Sequence, residues 1–265
     1  MEWKGMICLV TGASSGFGYE TAKALARRGA TVIGAARREA KLQELVKELG
    51  GEPHSYVTCD VSDLEQVRMM RERLEDRCEY IDILVNNAGR PSGGPLKTSS
   101  SEGMEEIIRT NLLGPMWCTK ELLPLLESAP RTARTPVIVN VASMAGRLPV
   151  PKSADYAASK FGLVGFTESV WLDLNELGIK AMMVNPGAAD TEGFPMDGVR
   201  ANPLTAWTVM GPDRVANAVI RGVERGAHEV RVQWWLHLVY HASVTMGPLR
   251  RYAASLLRGQ FRGEW

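Results

Sequence analysis

Apolar and polar positions follow two periods along this chain, and the switches between them mark out its elements. Met6 to Val10 is a continuous apolar run that breaks into a glycine-rich turn, Thr11 to Gly18. A helical period then carries Thr21 to Arg28 and stops at Gly29. Ala30 to Ala36 reads as a second strand, Lys41 to Leu49 as an amphipathic helix closed by Gly50 and Gly51, and Pro53 to Asp60 as a third strand. Ser62 to Glu65 has the form of a capping box and predicts a helix running to Arg77. Ile81 to Val85 is a fourth apolar run, ending in Asn86, Asn87, Ala88 and Gly89. A helix carrying Ile107, Ile108, Asn111, Leu112 and Leu113 meets Gly114 and Pro115, which predicts a kink just past Asn111. Pro136 to Val141 is a buried fifth strand, Ala154 to Leu177 a long helix, Ile179 to Val184 a sixth strand and Asn185 to Pro203 a loop. Pro212 to Arg225 reads as a helix and Glu229 to Gln233 as a seventh strand. Strands alternating with helices of this length predict an α/β fold, a single doubly wound domain over residues 1–233. Its seven-stranded sheet is parallel, with right-handed crossovers and helices on both faces.

Residues 234–265 do not fit that alternation and read as a C-terminal helical extension of the same domain. Leu249, Tyr252, Ala253, Leu256 and Leu257 share one helical face, with Arg250, Arg251 and Arg258 elsewhere. A basic amphipathic helix can make peripheral contact with an anionic membrane, close over a substrate pocket or pack on a partner subunit. The long helix from Ala154 is apolar on most sides, at Phe161, Leu163, Val164, Phe166, Val170, Trp171 and Leu174, more than one core contact requires. This predicts a subunit interface.

Composition narrows the classes. A chain of 265 residues suits one large α/β domain. Thirty-one basic against thirty acidic residues give a net charge of +1, which argues against a nucleic-acid-coating surface. Cys8, Cys59, Cys78 and Cys118 are scattered without a close pair, so neither disulfides nor a metal site is expected. His237 and His241 have metal-ligand spacing but no third ligand, and read as packing or surface residues. Met1 to Gly5 is short and polar, and no apolar run reaches the ~20 residues of a spanning helix; a cytoplasmic protein is expected.

The chemistry gathers at two places. Between the first strand and helix, Gly12, Gly16 and Gly18 let a backbone approach a pyrophosphate, while the helix N-terminus offers unpaired amides. The second strand ends in Ala36 and is followed by Arg37 and Arg38, where an acid would hold a ribose 2′-hydroxyl. Two guanidiniums select a 2′-phosphate, so the expected cofactor is NADP(H). Asp60 is suited to an adenine amino group. The second place is Ser143, just past the fifth strand, together with Tyr156 and Lys160, four positions apart on one helical face. An ammonium ~5 Å from a phenol, at an effective dielectric of ~20, favours phenolate by roughly 3 kcal/mol, about two pKa units. That would make Tyr156 a proton-transfer group, with Ser143 as a second donor to the same carbonyl oxygen.

The set Thr11-Gly12-x-x-x-Gly16-x-Gly18, Asp60, Asn86 to Gly89, Asn111, Ser143, Tyr156-x-x-x-Lys160 and Pro186-Gly187 resembles the short-chain dehydrogenases/reductases, from Met6 to about Gln233. The spacing is similar to that of the single-domain group, and the resemblance implies a Rossmann fold. It also implies roles. Tyr156 is the acid/base, Lys160 binds the nicotinamide ribose and lowers the Tyr156 pKa, Ser143 orients the substrate oxygen, and Asn111 holds a water for proton relay. Gly12, Ser14, Ser15, Gly16, Phe17 and Gly18 cradle the phosphates, Asp60 and Val61 face adenine, and Asn87, Ala88 and Gly89 line the cofactor. Pro186, Gly187, Ala189 and Thr191 cover the nicotinamide. Phe17 departs from the family's usual isoleucine, and the glycine pair that ends the last strand in many acyl-carrier-type reductases is absent. The expected activity is hydride transfer between NADP(H) and an apolar ketone or aldehyde and its alcohol, in a homodimer or homotetramer. Met144, Leu148, Ala188, Ala189, Phe194, Pro195 and Met196 populate the segments beside the site, with Arg90 and Arg147 as anchors for a charged group. Two alternatives are a 3-oxoacyl-thioester reductase and a catalytically silent nucleotide-binding module.

Overall fold

The computed structural model describes residues 2–130, 135–193, 197–201 and 206–233, with 235, 238 and 241. Seven parallel strands, β1 (Ile7–Thr11), β2 (Thr31–Ala36), β3 (Ser55–Thr58), β4 (Ile83–Asn86), β5 (Val137–Val141), β6 (Lys180–Asn185) and β7 (Glu229–Arg231), form one sheet in the order β3-β2-β1-β4-β5-β6-β7. The order reverses between β1 and β4, whose register pairs Cys8 with Ile83 and Val10 with Val85. Such a reversal opens a crevice outside the carboxyl ends of the strands.

The helices are α1 (Gly16–Arg27), α2 (Glu39–Glu48), α3 (Leu64–Glu75), α4 (Ser101–Ile108), α5 (Gly114–Glu121), α6 (Leu123–Glu127), α7 (Ala154–Glu176), α8 (Asp197–Arg200) and α9 (Pro212–Arg225). Successive residues of each strand point to opposite faces. Cys8, Val10, Val32, Val85, Val139 and Val184 therefore meet Leu25 of α1, Leu42 of α2 and Val219 of α9 on one side. Leu9, Ile33, Leu84, Ile138 and Ala181 meet Met70 of α3, Cys118 of α5 and Leu174 of α7 on the other. Burial on both faces explains why these strands read as continuous apolar runs rather than alternating ones.

Local details refine the sequence reading. The cap of α3 is Asp63, not Ser62. Asp63 Oδ1 accepts from the amides of Glu65 (2.9 Å) and Gln66, and Gln66 Nε2 returns a bond to Asp63 Oδ2 at 3.0 Å. Ser62 instead donates its hydroxyl to Asp60 Oδ1 at 2.7 Å. The break near Asn111 is a π-helical turn, Arg109–Leu113, closed by a bond from Gly114 N to Arg109 O. Pro115 stands in the first turn of α5, directly after the π turn, and has no N–H to give to the helical ladder. Among the described residues no helix is long and apolar enough to cross a membrane. The predicted amphipathic helix of the tail, His237, and Phe194 to Met196 lie outside the described residues.

Candidate active site

The chain leaves the carboxyl end of β5 through Ser143, whose Oγ accepts from Ala145 N at 3.1 Å and caps a 3₁₀ turn, Met144–Gly146. That turn lies directly on α7. A Cβ on Gly146 would stand 2.6 Å from Lys160 O, so only glycine permits the approach. The first turns of α7 then bring Tyr156 to Ser143, whose side chain hydrogen-bonds the phenol. Lys160 follows one turn later and is 4% exposed. Its Nζ lies 5.7 Å from the centroid of the Tyr156 ring and donates to Val141 O at 2.9 Å.

The electrostatics differ from the sequence expectation. Burial pushes the Tyr156 phenol up to about 12, with the Ser143 hydrogen bond pulling the other way, and burial draws the Lys160 ammonium down to about 8. A single Coulomb interaction favours phenolate, but removing both groups from water penalises both charged forms, and here that cost is the larger. At neutral pH the site holds a protonated phenol beside an amine that still carries most of its charge.

Asn111 is fully buried in the π turn. Its Oδ1 accepts from Arg90 N at 2.7 Å, and its Nδ2 donates to Arg90 O at 3.0 Å and Ser159 Oγ at 3.2 Å. Ser159 in turn donates to Tyr156 O at 2.7 Å. Asn111 thus ties the segment after β4 to the first turn of α7. Gly89 lies between them: a Cβ there would be 3.3 Å from Asn111 Oδ1 and 3.9 Å from Lys160 Nζ.

At the crevice between β1 and β4 the glycine turn is held by the end of β4. Thr11 Oγ1 donates to Val85 O and accepts from the amides of Asn87 and Ala88, at 3.2, 3.0 and 3.1 Å. Asn87 Nδ2 donates to Thr11 O at 2.9 Å and to Gly12 O. Gly12 has φ +67°, and a Cβ on it would stand 2.8 Å from Ala88 Cα; one on Gly18 would collide with the Asn87 amide. Gly16 opens α1, and Ser15 before it makes no side-chain cap bond to the helix. Phe17 is half-buried against the core.

The Ser14 and Ser15 hydroxyls serve Arg38 instead. Arg38 Nε and Nη2 each reach Ser14 Oγ at 3.2 Å, Nη2 donates to Ser15 Oγ at 2.7 Å, and Nη1 donates to Glu192 Oε1 at 2.6 Å. Arg37 lies 3.5 Å from Asp60 Oδ2. Val61 is buried, with Cγ2 3.0 Å from where a Gly114 Cβ would stand. Across the crevice Pro186 O accepts from Met144 N at 2.9 Å, Ala189 is buried in a bridge to Met210, and Thr191 Cβ lies 3.3 Å from a would-be Gly16 Cβ. A steric cradle, open amides at a helix N-terminus and a guanidinium at the end of β2 fit a nicotinamide dinucleotide.

Some expected residues stand elsewhere. Arg147 pairs with Glu168 (2.9 Å) and Glu229 (3.6 Å), and Arg90 pairs with Glu106, because α7, β7 and α4 bring acids to them. Met144 and Ala189 turn into the core, whereas Leu148 and Ala188 are half-buried. Sequence reasoning missed Asp155, a buried carboxylate that accepts from Ser92 Oγ (2.6 Å), Gly93 N (3.1 Å) and Tyr156 N (2.7 Å). Its signal was an acid in the first turn of a helix, a position the helix dipole favours. Also missed was a buried amide chain, in which Asn86 Nδ2 donates to Asn140 Oδ1 (2.9 Å) and Asn140 Nδ2 to Thr167 Oγ1 (2.8 Å).

Comparison with known proteins agrees with this geometry. The family model described as short chain dehydrogenase matches residues 6–197. A putative ketoacyl reductase of Streptomyces coelicolor is 38% identical over 209 residues, 77% of each chain. A 3-ketoacyl-(acyl-carrier-protein) reductase of Brucella melitensis, solved with NADH, superposes with a TM-score of 0.77 at 28% identity, covering 86% of this chain and 97% of that one. A variant of the actinorhodin polyketide ketoreductase, solved with NADPH, superposes at 0.75 and 33% identity over 87% and 97%. A serine and a tyrosine converge beside a buried lysine, over a glycine cradle, within the span the family model covers. On these grounds the chain belongs to the short-chain dehydrogenase/reductase family, oxidoreductases that act between ketone and alcohol groups.

Proposed function

We propose that this chain is an NADP(H)-dependent reductase of 3-oxo groups carried on apolar acyl thioesters. The observation that carries the reading is geometric: the Tyr156 phenol, hydrogen-bonded to Ser143, stands one helical turn from buried Lys160, so two hydroxyls and a cation converge where a carbonyl oxygen would be polarised. The similarity to ketoacyl reductases supports the acyl class, and Arg38 beside Ser14 and Ser15 supports the phosphorylated cofactor. NADP(H) bound in the cradle supplies the hydride. Ser143 and Tyr156 would both donate to the substrate oxygen, Tyr156 would pass its proton to the alkoxide, and the Lys160 charge would stabilise the phenolate left behind.

The test is NADPH consumption with an N-acetylcysteamine thioester of a medium-chain 3-oxo acid, set against 2-octanone and against NADH. Turnover of the thioester with NADPH preferred is expected. Turnover of the simple ketone alone would move the reading to free apolar carbonyls, which half-buried Leu148 and Ala188 beside the site would suit. Tight NADPH binding with neither substrate consumed would make the chain a nucleotide-binding module.

A further inference from the structure

Arg38 is engaged on both edges of its guanidinium. Its fork is fixed on one side by Ser14 and Ser15, and its remaining Nη1 donates to Glu192, 154 residues away in the chain. Glu192 comes from the loop beyond β6, whose root is firmly held. Met210 N donates to Ala188 O and Asp190 N to Met210 O, each at 3.1 Å, and Arg200 pairs with Asp190 at 3.0 Å. Beyond that root, Thr191 leans on Gly16 and the Glu192 side chain spans the remaining gap to the guanidinium, 62% exposed. An exposed pair of this kind is weak and swings into water at little cost.

We propose that Glu192 is a specificity-determining residue, an internal anion that competes with the cofactor's 2′-phosphate for Arg38. The inference rests on the NADP(H) reading above. A phosphate dianion needs the guanidinium face that Glu192 holds, and a carboxylate left beside it repels it. A 2′-hydroxyl needs no guanidinium and makes no such demand. Glu192 therefore weakens NADP(H) binding selectively and limits the discrimination against NAD(H) that Arg38 would otherwise give.

The experiment is titration of the full chain, wild type, Glu192→Gln, Arg38→Ala and the double variant, with NADPH and NADH, read by isothermal calorimetry. Glu192→Gln is expected to tighten NADPH by about two- to fivefold with NADH unchanged. The gain shrinks as salt rises and vanishes in the Arg38→Ala background. A Glu192→Gln variant that binds NADPH more weakly, or that shifts both nucleotides equally, overturns the proposal. A wild type that prefers NADPH, with no change in the variant, removes the Glu192 competition and leaves the cofactor reading standing. A wild type that prefers NADH overturns the cofactor reading, and the competition with it.

Discussion

Burial holds the Tyr156 phenol at about 12 and the Lys160 ammonium at about 8, so the two groups change charge on opposite sides of pH 10. Tyr156→Phe removes the proton that reduction needs. Turnover is expected to fall by about 10²–10⁴-fold while NADPH affinity, measured by fluorescence titration, is retained. Lys160 gives a stability signature as well. Its folded value lies below the ordinary 10.5, so the fold favours the neutral amine: that contribution is full above pH 10.5 and is lost as pH falls through about 8. The shift corresponds to roughly 3 kcal/mol. Tyr156 runs the other way, its raised value contributing below pH 10 and losing that contribution as pH rises through about 12. Cys59, Cys78 and Cys118, whose thiols burial raises above the ordinary 9, cost stability as pH climbs from 8 to 10, so the Lys160 contribution is read as a difference. Across that window the denaturation midpoint of wild type should gain on that of Lys160→Met, which should also lose activity. The four-residue spacing placed these side chains together correctly. Depth from solvent, which reversed the expected shift of the phenol, depends on how the Ser143 turn and α7 pack, and no local pattern encodes that.

At the scale of elements, the first turn of α7 is where the site is assembled. Asp155 anchors Ser92 and Gly93 there through its two carboxylate oxygens, and Asn111 anchors Arg90. Asp155→Ala leaves the Ser92 hydroxyl and the Gly93 amide without that acceptor, at a cost of about 1–3 kcal/mol. Because this anchor adjoins Tyr156, the proposed proton donor, and makes no bond to the glycine turn, KM for the carbonyl substrate should rise while the NADPH dissociation constant stays within about twofold. Faster hydrogen exchange at Gly93 and Gly94 in the variant would locate the loss. Strand and helix positions were legible because apolar runs and glycine stops are local signals. The cap of α3 was misassigned by one residue because Ser62 and Asp63 are both good caps, and a bond from Ser62 to Asp60 decides between them. Asp155 was not legible as an anchor because its partners lie 62 and 63 positions away.

For the whole molecule, the parallel sheet and a helical layer on each face followed from periodicity, because apolar runs joined by helical crossovers leave little other arrangement, whereas the order of the strands came from the structure. The tail did not follow, since a basic amphipathic pattern suits several partners equally. α7 keeps Phe161 38% and Leu172 62% exposed while its other side packs on the sheet. Sedimentation velocity is expected to show a dimer or larger species, and a monomer at every concentration would end the interface reading. The glycine turn after β1 is clipped by Asn87, which belongs to the end of β4. The nucleotide floor is therefore shared between two stretches of chain more than seventy positions apart. A fragment carrying only the first strand–turn–helix would own the signature and lack the clip. Split versions of this molecule should regain nucleotide binding by recombining halves, not from the amino-terminal half alone.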